Sequence, residues 1–264
     1  MTGSKNTLIL TLSVLLLGCA SAAAAGEISQ GEHNAFYAAN ALYEKGNYDE
    51  AAKEYARILD SGFESGPLYY NLGNTFFKQG KLGYAILAYR KAQKLMPGNS
   101  DLKANLRYAQ SLTEDSAFQA PAVNRVVLFI ELPFRDLTLN TVAVISLVLY
   151  LFVMICLIAG TVNSVFGRRV SFFFYLFLFV FIFSLAAFAF RFYDEEFTRH
   201  GIVVGKEAEC KYEPIDNSST YFTLKEGQDV NVLKERNGWS RIRRIDGKLG
   251  WVKSAAVEEI DPAS

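Results

Sequence analysis

The chain has 264 residues, 51% of them hydrophobic, and its 27 basic and 27 acidic side chains leave a formal charge of zero. That balance argues against a nucleic-acid partner, which calls for a basic footprint. Three cysteines, Cys19, Cys156 and Cys210, fall in three different regions, which excludes an intrachain disulfide framework or a zinc spacing.

In chain order, Lys5 precedes the apolar run Leu8–Leu17, and small residues follow. A basic, then apolar, then small-residue segment predicts an export signal over 1–25. Two processing outcomes stay open. Leu16-Leu17-Gly18-Cys19 resembles a lipobox and makes Cys19 a lipidation candidate; ordinary cleavage around Ala22 or Ala25 is the alternative.

Next comes an internal repeat of 34 residues: Gly46, Ala51 and Tyr55 recur as Gly80, Ala85 and Tyr89, and Asn40 recurs as Asn74. The spacing predicts paired helices, about His33–Lys45 with Tyr48–Leu59, and Pro67–Gln79 with Leu82–Leu95, with turns at the glycines. Tyr69, Leu72-Gly73, Phe76, Gly80, Ala85, Tyr89, Ala92 and Pro97 resemble the tetratricopeptide repeat (TPR) signature at nearly every position. The first copy departs from it, with Ala38-Ala39 for Leu-Gly and Phe63 near the expected proline. We place TPR 1 at 32–65, TPR 2 at 66–99 and a capping helix at 100–113, carrying Leu102, Leu106, Ala109 and Leu112 at helical spacing. The resemblance puts the first helix of each repeat on a concave face. Its protein-binding candidates are Phe36, Asn40 and Tyr43 from copy one and Tyr70, Asn74, Phe77 and Lys78 from copy two. Asn40 and Asn74 match the position that often holds a bound peptide's backbone in TPR grooves. Phe36 stands where the lysine clamp for a peptide carboxylate would begin. The alternative is that all of these are exposed positions of a helical scaffold.

A polar linker, Thr113–Asn124, leads to an apolar stretch at 125–137, which is either interfacial or buried under the repeats. No charge occurs between Asp136 and Arg168. Leu139–Ala159 and Val170–Phe190 each offer roughly 31 Å of helix at 1.5 Å per residue, the thickness of a bilayer core. They predict two transmembrane helices, 139–159 and 170–190. The loop 160–169 carries Arg168 and Arg169 and no acid, so the positive-inside rule places it in the cytoplasm. Both flanking domains then lie on the exported side of an inner membrane. The two spans hold no Asp, Glu, Lys, Arg or His, so the hairpin is a poor transport path.

Beyond His200 the pattern turns to short strands and glycine turns, with Asn237-Gly238 and Asp246-Gly247 as two-residue hairpin signals. Residues 201–261 are read as a small barrel. Leu224, Gly227, Val230, Val232, Asn237-Gly238-Trp239, Ile242, Asp246-Gly247 and Gly250-Trp251-Val252 resemble the bacterial SH3-like domain. Trp251 is expected in the core or half-buried, and Trp239 partly exposed on a ligand surface. Cys210 is expected on an early strand as an inert thiol.

No phosphate loop, nucleophile elbow or metal motif occurs, and the two histidines, His33 and His200, lie in different domains. The expectation is a protein that is not an enzyme and takes no cofactor or metal. The fold class is a multidomain membrane protein: an all-α TPR array, a two-helix transmembrane hairpin and an all-β SH3-like barrel. The order of parts resembles the BatE family of the bacterial Bat (aerotolerance) group. That resemblance implies an envelope scaffold working with Bat membrane proteins that carry von Willebrand factor A domains, and a role in oxidative-stress tolerance. The alternative function is a sensor that binds peptidoglycan through the SH3-like domain. The expected contacts are therefore protein partners, membrane lipid and, on the alternative, peptidoglycan, with no nucleic acid.

Overall fold

The structure, a computed structural model, describes residues 30–113, 132–162 and 167–260. The signal segment with Cys19, most of the linker and the tip of the hairpin connection lie outside the described residues.

Five helices form the N-terminal array: α1 (Gln30–Glu44), α2 (Tyr48–Asp60), α3 (Gly66–Lys78), α4 (Leu82–Leu95) and α5 (Ser100–Ser111). Gly46 and Gly80 end α1 and α3 at φ 80° and 75°, a left-handed conformation that a side chain resists. The closing hydrogen bonds repeat as well. Asn47 N–H donates to Leu42 O and Lys81 N–H donates to Phe76 O, both at 3.0 Å. Ala51 and Ala85, fully buried, let the paired helices approach. Gly73 does the same, since a Cβ there would stand 2.6 Å from the Tyr89 ring.

The fifth helix belongs to the same pattern. Ser65 caps α3 by accepting from Leu68 N–H at 3.3 Å, and Asn99 caps α5 by accepting from Leu102 N–H at 2.8 Å. Leu68 and Leu72 of α3 are answered one period later by the buried Leu102 and Leu106. Leu112, expected on the apolar stripe, is the C-cap and is 47% exposed.

Two further helices, α6 (Leu139–Val162) and α7 (Gly167–Phe197), pack on each other. Their apolar spans, Leu139–Ile158 and Ser171–Tyr193, are long enough to cross a membrane. Phe172, Phe179 and Ile155 point outward with 65%, 69% and 61% of their surface exposed, an arrangement suited to lipid rather than water. Between the helices Ser146 Oγ and Ser184 Oγ share a buried hydrogen bond of 2.7 Å, polar contact of the kind that holds membrane helices together. Phe152 stacks on Phe177 at 5.2 Å. The end of the apolar stretch before the hairpin is buried at Phe134, against Val142 and Ala187, while Leu132 is exposed.

After α7 the chain forms seven antiparallel strands: β1 (Arg199–Val203), β2 (Glu207–Lys211), β3 (Thr220–Lys225), β4 (Asp229–Arg236), β5 (Trp239–Arg244), β6 (Leu249–Lys253) and β7 (Val257–Glu259). Their order in the sheet is β3-β2-β6-β5-β4-β1-β7. Asn237 and Gly238 have φ 50° and 78° and join β4 to β5 as a two-residue turn. The second expected two-residue turn is instead a three-residue loop. Arg244 N–H donates to Lys248 O at 2.9 Å across residues 245–247, and Gly247 takes the left-handed position at φ 85°.

Cys210 sits on β2 in the barrel core, fully buried. Burial pushes its thiol from 9.0 up to about 12, against a smaller pull from Arg244. The unfolded chain therefore gives up this proton first. The stability from this group is complete below pH 9.0 and is lost as pH rises toward about 12. Iodoacetamide at pH 8 should leave the Cys210 peptide unlabelled in the native protein and label it in denaturant, as read by mass spectrometry.

The barrel docks on α4. Ile202 and Ile260 enter the core that Ile86, Tyr89 and Leu102 share. The sequence before α4 offers no capping side chain, and Lys81 makes no side-chain cap bond. Glu226 supplies one from the barrel: Gly83 N–H donates to its Oε1 at 2.8 Å. Arg90 pairs with Asp229 at 2.9 Å. Gly227, at φ 82°, passes so near α4 that a Cβ would lie 2.6 Å from Ile86 Cδ1.

Candidate functional site

Helices α1, α3 and α5 line one face of the array, and the barrel occupies the opposite side on α4. Among the described residues, nothing of the barrel or the hairpin lines that groove. At its C-terminal end is a pocket of about 290 Å³ lined by Tyr43, Asn74, Phe77, Lys78, Tyr89, Asn105 and Tyr108. Four of the sequence-derived candidates, Tyr43, Asn74, Phe77 and Lys78, meet there. Phe77 lies beside Tyr108 with ring centroids 5.6 Å apart. Tyr70 stands next to them: its hydroxyl accepts from Asn105 Nδ2 at 3.0 Å and its ring is 6.1 Å from Tyr89. Phe36 lies apart, half-buried against Tyr55 in the core of the first repeat.

The two repeated asparagines are held identically. Asn74 Oδ1 accepts from Tyr89 Oη at 2.8 Å and from Asn105 Nδ2 at 3.0 Å. Asn40 Oδ1 accepts from Tyr55 Oη at 2.6 Å and from Asn71 Nδ2 at 2.9 Å. All three members of each set are one period apart. Burial raises the Tyr55 hydroxyl to about 12 and raises Tyr89 further, so both stay protonated donors at ordinary pH. Burial, and then Tyr48 and Tyr70, also raise Tyr43. With each Oδ1 engaged twice, the side chain's orientation is fixed. Neither Nδ2 donates to any group among the described residues. The groove thus presents two fixed N–H donors at a one-repeat spacing, flanked by aromatic rings and the exposed Lys78. Such donors suit carbonyl oxygens.

Sequence reasoning missed Asn71, Asn105 and Tyr108. The signal was present: Asn71 and Asn105 are also one period apart.

The barrel overturns the expectation for Trp239. Trp239 is buried, at 7% exposure, and Trp251 is half-buried. Strand alternation puts Trp239 on the same side as the exposed Arg241 and Arg243, but a returning segment covers it. Lys253 Nζ lies 5.8 Å from its ring, and Ser254 N–H donates to Gly238 O at 2.9 Å. The exposed aromatics are Tyr212 and Tyr221, at 59% and 40%, with rings 4.5 Å apart.

The family described as Tetratricopeptide repeat matches residues 67–99, and the Bacterial SH3 domain family matches residues 214–258. Both are typically binding modules without catalysis. No curated protein matches the chain.

Proposed function

We propose that this protein is a non-enzymatic adaptor anchored in the membrane of the bacterial cell envelope, and that its repeat groove holds an extended segment of a partner protein. The observation that carries this reading is the pair of locked amides, Asn40 and Asn74, aimed into an open groove with nothing described to receive them. Trp239 is withdrawn from the contact surface, and Phe36 acts in the first repeat's packing. The array and the barrel, docked together, must share one side of the membrane, which two crossings allow. Export of residue 26 onward, with Arg168 and Arg169 on the cytoplasmic side, makes that side periplasmic. The order of parts resembles the BatE family. Membership would add Bat membrane proteins with von Willebrand factor A domains as partners and a role in aerotolerance. Acylation of Cys19 would add a third anchor.

The test is Asn40→Asp with Asn74→Asp. Each carboxylate keeps both accepted hydrogen bonds and removes the N–H donors. Partner capture by the detergent-solubilised full chain should fall at least about tenfold, since each hydrogen bond to a peptide lost at a desolvated site costs about 1–2 kcal/mol. The unfolding midpoint should move little.

The exposed Tyr212–Tyr221 pair favours a second reading, a peptidoglycan sensor. If the Asp variants capture partners normally, and the full chain sediments with purified peptidoglycan until Tyr221→Ala is introduced, that reading replaces the first.

A further inference from the structure

We propose that the cleft where the array, the barrel and the hairpin meet binds the phosphate of an anionic phospholipid headgroup. The cleft encloses about 580 Å³. Its walls bring together Arg90 and Lys94 of α4, Lys103 of α5, Arg135 just before α6, Arg191 of α7 and Arg243 of β5. These charges come from all three parts of the protein, so only the assembled fold concentrates them. The acid in the wall, Asp229, is held by Arg90 at 2.9 Å. Lys103 is paired with Asp136, whose carboxyl that hydrogen bond holds below the usual range. Arg135, Arg191 and Arg243 are in no ion pair among the described residues.

A concave surface lined by one sign of charge focuses its field and draws in counter-ions. Arginines are the side chains best matched to phosphate oxygens. Arg90, which also lines an adjoining cleft of about 420 Å³, keeps a buried Nε without a hydrogen-bond partner.

Depth in the membrane identifies the source of the phosphate. The apolar spans begin at Leu139 and end at Tyr193; Arg135 stands four residues before the first limit and Arg191 two residues inside the second. Arg191 is fixed there: its Nη1 donates to Phe134 O at 3.1 Å and to Leu137 O at 2.7 Å. Headgroup phosphates lie at that level, just outside the hydrocarbon. Leu132, 63% exposed in the adjoining cleft, offers an apolar contact for a chain below the headgroup. The inference rests on the hairpin crossing a membrane, which resistance to carbonate extraction reads separately. It does not depend on the groove.

The full chain in detergent is offered equal amounts of phosphatidylglycerol and phosphatidylcholine, and retained lipid is read by native mass spectrometry. Wild type should retain phosphatidylglycerol in preference. Arg135→Gln with Arg243→Gln should weaken that retention about 25-fold, about fivefold per charge near a phosphate surface. Both side chains are exposed, so the unfolding midpoint should hold. Lys45→Gln with Lys53→Gln, the same charge removed from the first repeat, should change nothing. Equal retention of the two lipids, or retention indifferent to the arginines, overturns the proposal. So does a midpoint raised by inorganic phosphate through the same arginines with no lipid preference, which would make this a site for free phosphate.

Discussion

Gly83→Ala will loosen the barrel from the repeat array and lower the stability of the whole extramembrane unit by about 3 kcal/mol, the upper part of the overpacking range. A Cβ on Gly83 would stand 2.6 Å from Val203 O and 2.8 Å from Val204 Cα. Those are backbone atoms of the barrel and cannot swing aside as a side-chain tip does. The same shift breaks the bond from Gly83 N–H to Glu226 and pulls Ile202 out of the shared core. The sign is diagnostic. Position 83 is in the first turn of α4, where alanine is favoured over glycine by less than the roughly 1 kcal/mol of a helix interior. Without the domain contact the variant should therefore be at least as stable as wild type. Denaturant unfolding and hydrogen exchange along α4 decide it: a stabilised variant with unchanged protection at Ile86 rules the contact out.

Leu102→Ala should cost about 3 kcal/mol, within the range for emptying a leucine-sized site in a core. Leu102 is fully buried on α5, in a cluster with Ile86, Tyr89 and Leu106. Leu112→Ala, at a residue 47% exposed, should stay within about 0.5 kcal/mol of wild type. If the two substitutions cost the same by urea unfolding, α5 is not the third helix of the groove face, and Asn105 does not hold Asn74.

The elements of the fold were legible wherever the reason for a residue is local. Gly46 and Gly80 mark turns by their own backbone conformation. The charge-free runs of α6 and α7 match the thickness of a bilayer core. The share of α5 in the repeat was harder to read. It keeps the leucines and the asparagine that face α4 and α3, but Arg107 stands where Gly73 stands one period earlier. Among the described residues no later helix packs on that position as α4 packs on Gly73, so the usual signature is lost while the packing persists. Trp239 misled for a different reason. Alternation along β5 places its ring outward, and only the return of the chain at Lys253–Ser254 covers it. The docking of the barrel left no local trace at all, since Glu226 caps a helix 143 positions before it. The groove was half legible: the recurrence of Asn40 as Asn74 is in the sequence, whereas the tyrosine and asparagine that lock them are joined to them only by folding.

Only Thr198 separates the end of α7 from the start of β1. The helix has 31 residues, and at 1.5 Å each it is a rod of roughly 46 Å. It therefore works as a lever with no slack at its far end. Tilting the rod by about 10°, the kind of adjustment a thinner bilayer forces on a long helix, swings that end by about 8 Å. The barrel must follow, and the array clamped to it by Glu226 and Arg90 follows in turn. For a hairpin embedded in a bilayer, the thickness of that bilayer then sets the direction in which the groove faces.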